Sequence, residues 1–123
     1  MLINKNRLID LLDHENPNVR NESVQALESF FKGSTGVVAP LIKAIDKYRN
    51  DSLSLVARVK SFIPDNGDIA DLIRLFNETD PKADDESMNR HYHIQQSLLY
   101  FPVEILHYNE KIIRFNEDLS HAM

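Results

Sequence analysis

Residues 13–30 read DHENPNVRNESVQALESF, a polar turn that runs directly into a helical pattern. Asn16 carries the short acceptor side chain that caps a helix, and Pro17 suits the first helical position, where no backbone donor is needed. Beyond them Val19, Val24, Leu27 and Phe30 spread over a wide arc, as expected of a helix covered on more than one side. The preceding RLIDLL at 7–12 places Leu8, Ile9 and Leu12 on one helical face. Residues 4–32 therefore read as one helix, a turn and a second helix.

The same pattern returns. PLIKAI at 40–45, DLIRLF at 71–76 and VEILHY at 103–108 resemble the first apolar core, and Ile9, Ile42, Ile73 and Ile105 are separated by 33, 31 and 32 residues. Between these A segments lies a B set: SVQALESF at 23–30 aligns with LVARVKSF at 55–62, which places Phe30 opposite Phe62. Gly33 and Gly36 separate the first unit from the second, and PDNGD at 64–68 separates the second from the third, with Asp68 available to start a helix. Asp51 or Ser52 is expected to cap the second B helix. The units span 4–32, 34–63 and 67–101, followed by a terminal helix at 102–120 in which Ile105, Ile112 and Leu119 recur every seven residues. That helix either caps the stack or leads into a longer natural polypeptide.

The third unit departs from the period. Pairing Phe101 with Phe62 requires seven extra residues, which DPKADDE at 80–86 supplies; pairing Ile94 with Phe62 requires none. Its B helix presents two apolar faces, Ile94, Leu98 and Phe101 on one and Met88, Tyr92 and Leu99 on the other. A two-helix unit this thin cannot bury its apolar face alone, so copies must stack. The expected fold is all-α, a right-handed α-solenoid of about three and a half antiparallel helical hairpins in a single domain.

LLDHENPNVRNESVQALESF resembles a HEAT repeat of the sub-class with a D-x-x-x-P-x-V-R turn and an Ala-Leu pair in the B helix; Asp13, Pro17, Val19, Arg20, Ala26 and Leu27 carry the match. The second unit keeps only the apolar spacing, and the third only Asp80-Pro81. The resemblance implies a HEAT-like superhelix that binds other proteins along its B helices. It also implies structural roles for Asp13, Pro17 and Arg20, with Arg20 reaching an acidic group such as Asp13 or Asp51.

Composition narrows the function. The chain has no cysteine, which removes disulfides, thiolate metal sites and cysteine nucleophiles. Its net charge of −5 and dispersed Lys and Arg argue against a phosphate-binding stripe, so nucleic acid is an unfavoured partner. The N-terminus lacks the features of a secretory signal, and no apolar run reaches membrane-spanning length, so a cytoplasmic location is expected and the N-x-S/T tripeptides at Asn21, Asn50 and Asn77 read as chance.

Chemistry-bearing clusters are weak. In HYH at 91–93, two residues apart on a helix point about 200° apart, so His91 and His93 cannot share a metal. His14 and Glu15 lie in a solvated turn, and the acidic segment around Asp80, Asp84, Asp85 and Glu86 lacks the glycine and spacing of a calcium loop. No catalytic residue, metal or cofactor is assigned. The reading is a non-catalytic protein- or peptide-binding scaffold. The helical phase sets three rows on the B-helix face: Glu22, Gln25 and Ser29; Ser54, Ala57 and Ser61; His93, Gln96 and Tyr100. The small middle row would form a shallow groove, with Tyr100 as the aromatic anchor. Alternatives are a nucleic-acid module akin to HEAT-like DNA-repair proteins and a lyase or enzyme accessory subunit. Ile112, Ile113, Phe115 and Leu119 of the terminal helix offer a surface for a homodimer.

Overall fold

The computed structural model describes residues 4–101. The expected helix at 102–120, and the homodimer contact assigned to it, lie outside the described residues. Within them the chain is all-helical, with no strand: α1 (Lys5–Leu11), α2 (Pro17–Phe31), α3 (Val38–Lys47), α4 (Leu53–Val56), α5 (Asn66–Glu78) and α6 (Asp85–Tyr100). Two single 3-10 turns, Arg49–Asp51 and Val59–Ser61, flank α4.

The helix starts follow from local chemistry. Asn4 Oδ1 accepts from the Arg7 amide, and Asn16 Oδ1 accepts from the Asn18 amide at 2.9 Å just ahead of Pro17. At α5 the cap is Asp65, not Asp68. The Asp65 carboxylate accepts the Asp68 amide at 2.8 Å, and Asp68 returns a carboxylate to the Asp65 amide at 3.0 Å. This reciprocal box satisfies two otherwise orphaned donors. Burial of Asp68 pushes its carboxyl above the usual value. At α6 Asp84 accepts the Ser87 amide at 2.7 Å, which holds its carboxyl below the usual range.

Each helix packs against its sequence neighbour: α1 on α2, α3 on α4, α5 on α6. A second set of contacts joins the pairs, with α3 against α5, α2 against α4, and α6 against both α4 and the second 3-10 turn. One continuous core results. It runs from Leu12, Val24 and Leu27 through Leu41, Ile42, Ile45, Leu55 and Val56 to Ile69, Leu72, Ile94, Leu98 and Phe101. Ile42 is buried, while Ile9 and Ile73 are half-buried and pack on the same core.

The second B segment is not a continuous helix, contrary to the reading of 55–62. Arg58 Nη1 donates to both the carbonyl and hydroxyl oxygens of Ser54, at 3.2 and 3.1 Å. The Arg58 amide, which would bond the Ser54 carbonyl in an α-helix, turns to Leu55 instead at 3.1 Å. Three-residue closures follow from Ser61 to Arg58 and from Phe62 to Val59, and Pro64 keeps the chain from resuming a helix. Ser52 precedes α4, yet its hydroxyl donates to the Arg49 carbonyl and neither it nor Asp51 caps the helix.

Two further expectations change. Phe30 is 61% exposed while Phe62 and Phe101 are buried; Phe31, its neighbour, packs on the core instead. Met88 and Tyr92 are exposed, while Leu99, the third residue of the expected second face, is half-buried and packs on the core.

Arg20 joins the first pair to the second. It is 1% exposed, with its guanidinium centred 3.6 Å from the Tyr48 ring. Nη1 donates to the carbonyls of His14 and Glu15 at 2.9 and 3.0 Å, and Nη2 donates to the carboxylate of Asp51 at 3.2 Å and to its carbonyl at 3.4 Å. Tyr48 Oη donates to the Asp13 carbonyl at 2.8 Å, and Lys47 pairs with the Asp13 carboxylate at 2.9 Å. Asp13 thus meets Lys47 and Tyr48, and Arg20 takes Asp51.

Leu27→Ala should cost about 2–5 kcal/mol in urea unfolding because it empties a fully buried site. Phe30→Ala should stay within about 0.5 kcal/mol, a contrast that the 32-residue alignment alone would not give. Arg20→Met should cost about 2–4 kcal/mol, since three turn carbonyls lose their donor. Asp51→Ala should cost under about 1 kcal/mol, because its carboxylate is largely solvated and the carbonyl contacts persist.

Candidate functional site

The ends of the B elements converge. Gly33, at φ +81°, turns the chain out of α2 in a conformation that side chains disfavour. Its amide donates to the Ser61 carbonyl at 2.8 Å, and the Ile63 amide donates to the Ser34 carbonyl at 3.0 Å. These two bonds fasten residues 33–34 to residues 61–63. Above this seam lies a concavity of about 330 Å³. Phe62 and Phe101 are buried at its floor, and Lys32, Lys60, Ser61, Ile63 and Tyr100 line the rest together with Gly33 and Pro64. Ile63 and Tyr100 are exposed, Tyr100 by 65%.

The electrostatics of this rim differ from those of the remaining surface. Among the described residues no Asp or Glu lines it. Across α3 and α5, Arg74 bonds Asp46 at 2.7 Å and Glu78 at 3.2 Å, while Arg49 reaches Glu78 at 3.3 Å and Asp46 at 3.7 Å. A larger concavity of about 430 Å³ lies between α1 and α3, where Asp10, Asp13 and Lys43 give it both signs of charge.

The predicted rows do not form one groove. Ser61 and Tyr100 share the concavity described above. Glu22 instead borders a separate hollow with Leu8, Leu11, Val19 and Ser23, on the α1–α2 side. Gln25 and Ser29 are exposed on α2, and Gln96 is half-buried on α6. Ser54 is engaged by Arg58, and the Ser61 hydroxyl donates to Glu28 at 2.6 Å. Glu28 also lies 3.7 Å from Arg58 Nε. Ala57 is half-buried at the end of α4. The middle row fails as a helical face because residues 57–61 leave the α-helical path. Lys32, Lys60 and Ile63 were missed; Gly33 and Pro64, read only as separators, were the signals that the chain bends there and leaves Ile63 outside the helices.

The histidines serve packing. His91 stacks on Phe76 at 3.9 Å between ring centres, and His93 meets the Tyr92 ring edge-on at 5.4 Å. Burial holds both imidazoles below the ordinary value of 6.5, and the Lys60 charge adds to the effect at His93. His14 Nδ1 accepts the Asn16 amide at 3.0 Å, within the turn ahead of α2. No group of three potential metal ligands occurs among the described residues, and no described helix is long and apolar enough to cross a membrane.

Comparison with protein-family models, with curated proteins and with solved structures yields no match. The function is therefore read from the residues themselves.

Lys60→Met should raise the His93 pKa by removing a repelling charge and leave His91 unmoved, as followed by NMR titration of the imidazole signals. Protonation of both rings favours the unfolded chain. Their contribution to stability is complete above about 6.5, the ordinary value, and is lost as pH falls through the lower folded-state values.

Proposed function

We propose that this chain is a non-catalytic scaffold, a HEAT-like α-solenoid that holds a protein or peptide segment at the ends of its B elements. The reading is supported by the recurrence of Ile9, Ile42 and Ile73, and by helix pairs that touch their sequence neighbour and the pair after it. The observation that carries it is the concavity below Tyr100 and Ile63. Two large side chains stand in solvent beside a buried aromatic floor, on backbone fastened by the Gly33–Ser61 and Ser34–Ile63 bonds. Exposed aromatic anchors over well-packed pockets contribute disproportionately to interface energies. The binding needs shape and hydrogen bonds and no cofactor, and a cytoplasmic setting suits a chain without cysteine. Nucleic acid is the weaker reading, because two lysines cannot track a phosphate backbone.

The test is a selection of peptides from a random display library on the full chain, followed by measurement on variants. Tyr100→Ala should weaken selected peptides by about 1–2 kcal/mol and Ile63→Ala by about 1 kcal/mol, with unfolding midpoints close to the parent. Peptides that bind all three proteins equally would remove this surface from consideration.

A further inference from the structure

The proposed scaffold role, on which this inference rests, leaves the chemistry of the bound segment open, and the rim supplies it. In a chain with 19 acidic and 14 basic residues, carboxylates are in excess and most arginines find one. Arg20, Arg49, Arg58 and Arg74 all lie within ion-pair distance of Asp or Glu, as does Lys47. Lys32 and Lys60 do not: among the described residues neither has an ion-pair or hydrogen-bond partner, and both are exposed. They flank the same concavity, which has no acidic lining residue among the described residues, and the Lys60 charge is felt by the neighbouring His93.

Lysines near helix C-termini also answer the partial negative charge of the terminal carbonyls, about half a unit per end. Here several of those carbonyls already have donors. Phe31 O accepts from Ser34, Ser61 O from Gly33, and Ser97 O from Phe101. Two full positive charges thus face solvent around Ile63 and Tyr100.

We infer that this concavity takes an acidic peptide segment in which an aliphatic or aromatic side chain is flanked by Asp or Glu. The apolar residue sits between Ile63 and Tyr100 over the Phe62 and Phe101 floor. The flanking carboxylates pair with Lys32 and Lys60. The two lysines set which sequences are accepted, and the apolar contact sets most of the affinity.

The experiment uses the full chain and three labelled eight-residue peptides, read by fluorescence anisotropy. One has a Leu-Phe centre flanked by Asp and Glu; the second has Lys at every acidic position; the third has Ser for Leu and Phe. The first should bind, and its affinity should fall several-fold between low and moderately high salt. The Lys32→Glu/Lys60→Glu double variant should weaken it on the order of tenfold and should gain binding to the Lys peptide. Equal binding of the acidic and Lys peptides to the parent chain overturns the inference, as does an acidic peptide indifferent to the double variant. No binding of the acidic peptide also overturns it, including the case in which residues 102–123 of the chain fill the concavity. The broader scaffold reading fails separately. If display selects basic or uncharged peptides whose binding depends on Tyr100, the scaffold stands and only the acidic preference falls.

Discussion

The buried Arg20 guanidinium is the constraint on which the first half of the molecule depends. One planar, permanently charged group holds the turn before α2 by two carbonyls, the 3-10 turn before α4 by a third, and the face of Tyr48 at the end of α3. A buried cation is costly unless most of its donors are met. Arg20 meets that condition only when both turns are in place, although its Nε has no acceptor among the described residues. The group therefore selects one arrangement of two neighbouring helix pairs. Lysine could not do the same, because a single ammonium lacks the fork that reaches both turns.

Much of the local structure was legible in the sequence. Asn16 and Pro17 marked the start of α2, the apolar cores at 7–12, 40–45 and 71–76 fell in or at the end of α1, α3 and α5, and Gly33 and Gly36 adopt the positive φ that separators require. Asp51, one of two acidic partners considered for Arg20, is the one it meets. The losses came where periodicity was carried past its physical basis. Phe30 and Phe62 align by spacing, but α2 is a full helix and the second B segment is not. The core direction at those positions therefore differs, and Phe31 takes the buried place. Met88 and Tyr92 satisfied a pattern for a second buried face of which the described neighbours cover only Leu99.

The same break accounts for what sequence reasoning missed at the candidate site. A row of Ser54, Ala57 and Ser61 presupposes one turn of α-helix after another. Arg58 withdraws the Ser54 carbonyl from that ladder by bonding it with a side chain, an event that residue spacing cannot register. The chain then tightens, emerges extended at Phe62, and pairs with the Gly33–Ser34 backbone. A straight helix there would have carried Ile63 onward with Phe62. The irregular path instead buries Phe62 and leaves Ile63 exposed.

Charge completes the distinction between the two sides of the molecule. On α3, the 3-10 turn that follows it and α5, Asp46, Arg49, Arg74 and Glu78 are close enough to share one another's charges, so that side presents little unanswered field beyond solvent screening. Around the end of α2, the second 3-10 turn and the end of α6 the opposite holds: Ile63 and Tyr100 are exposed, and among the described residues Lys32 and Lys60 pair with no carboxylate. A side whose charges are internally matched gains little from a charged partner, because each new contact must displace an existing one. A side with unmatched cations around exposed apolar groups gains from both kinds of contact at once.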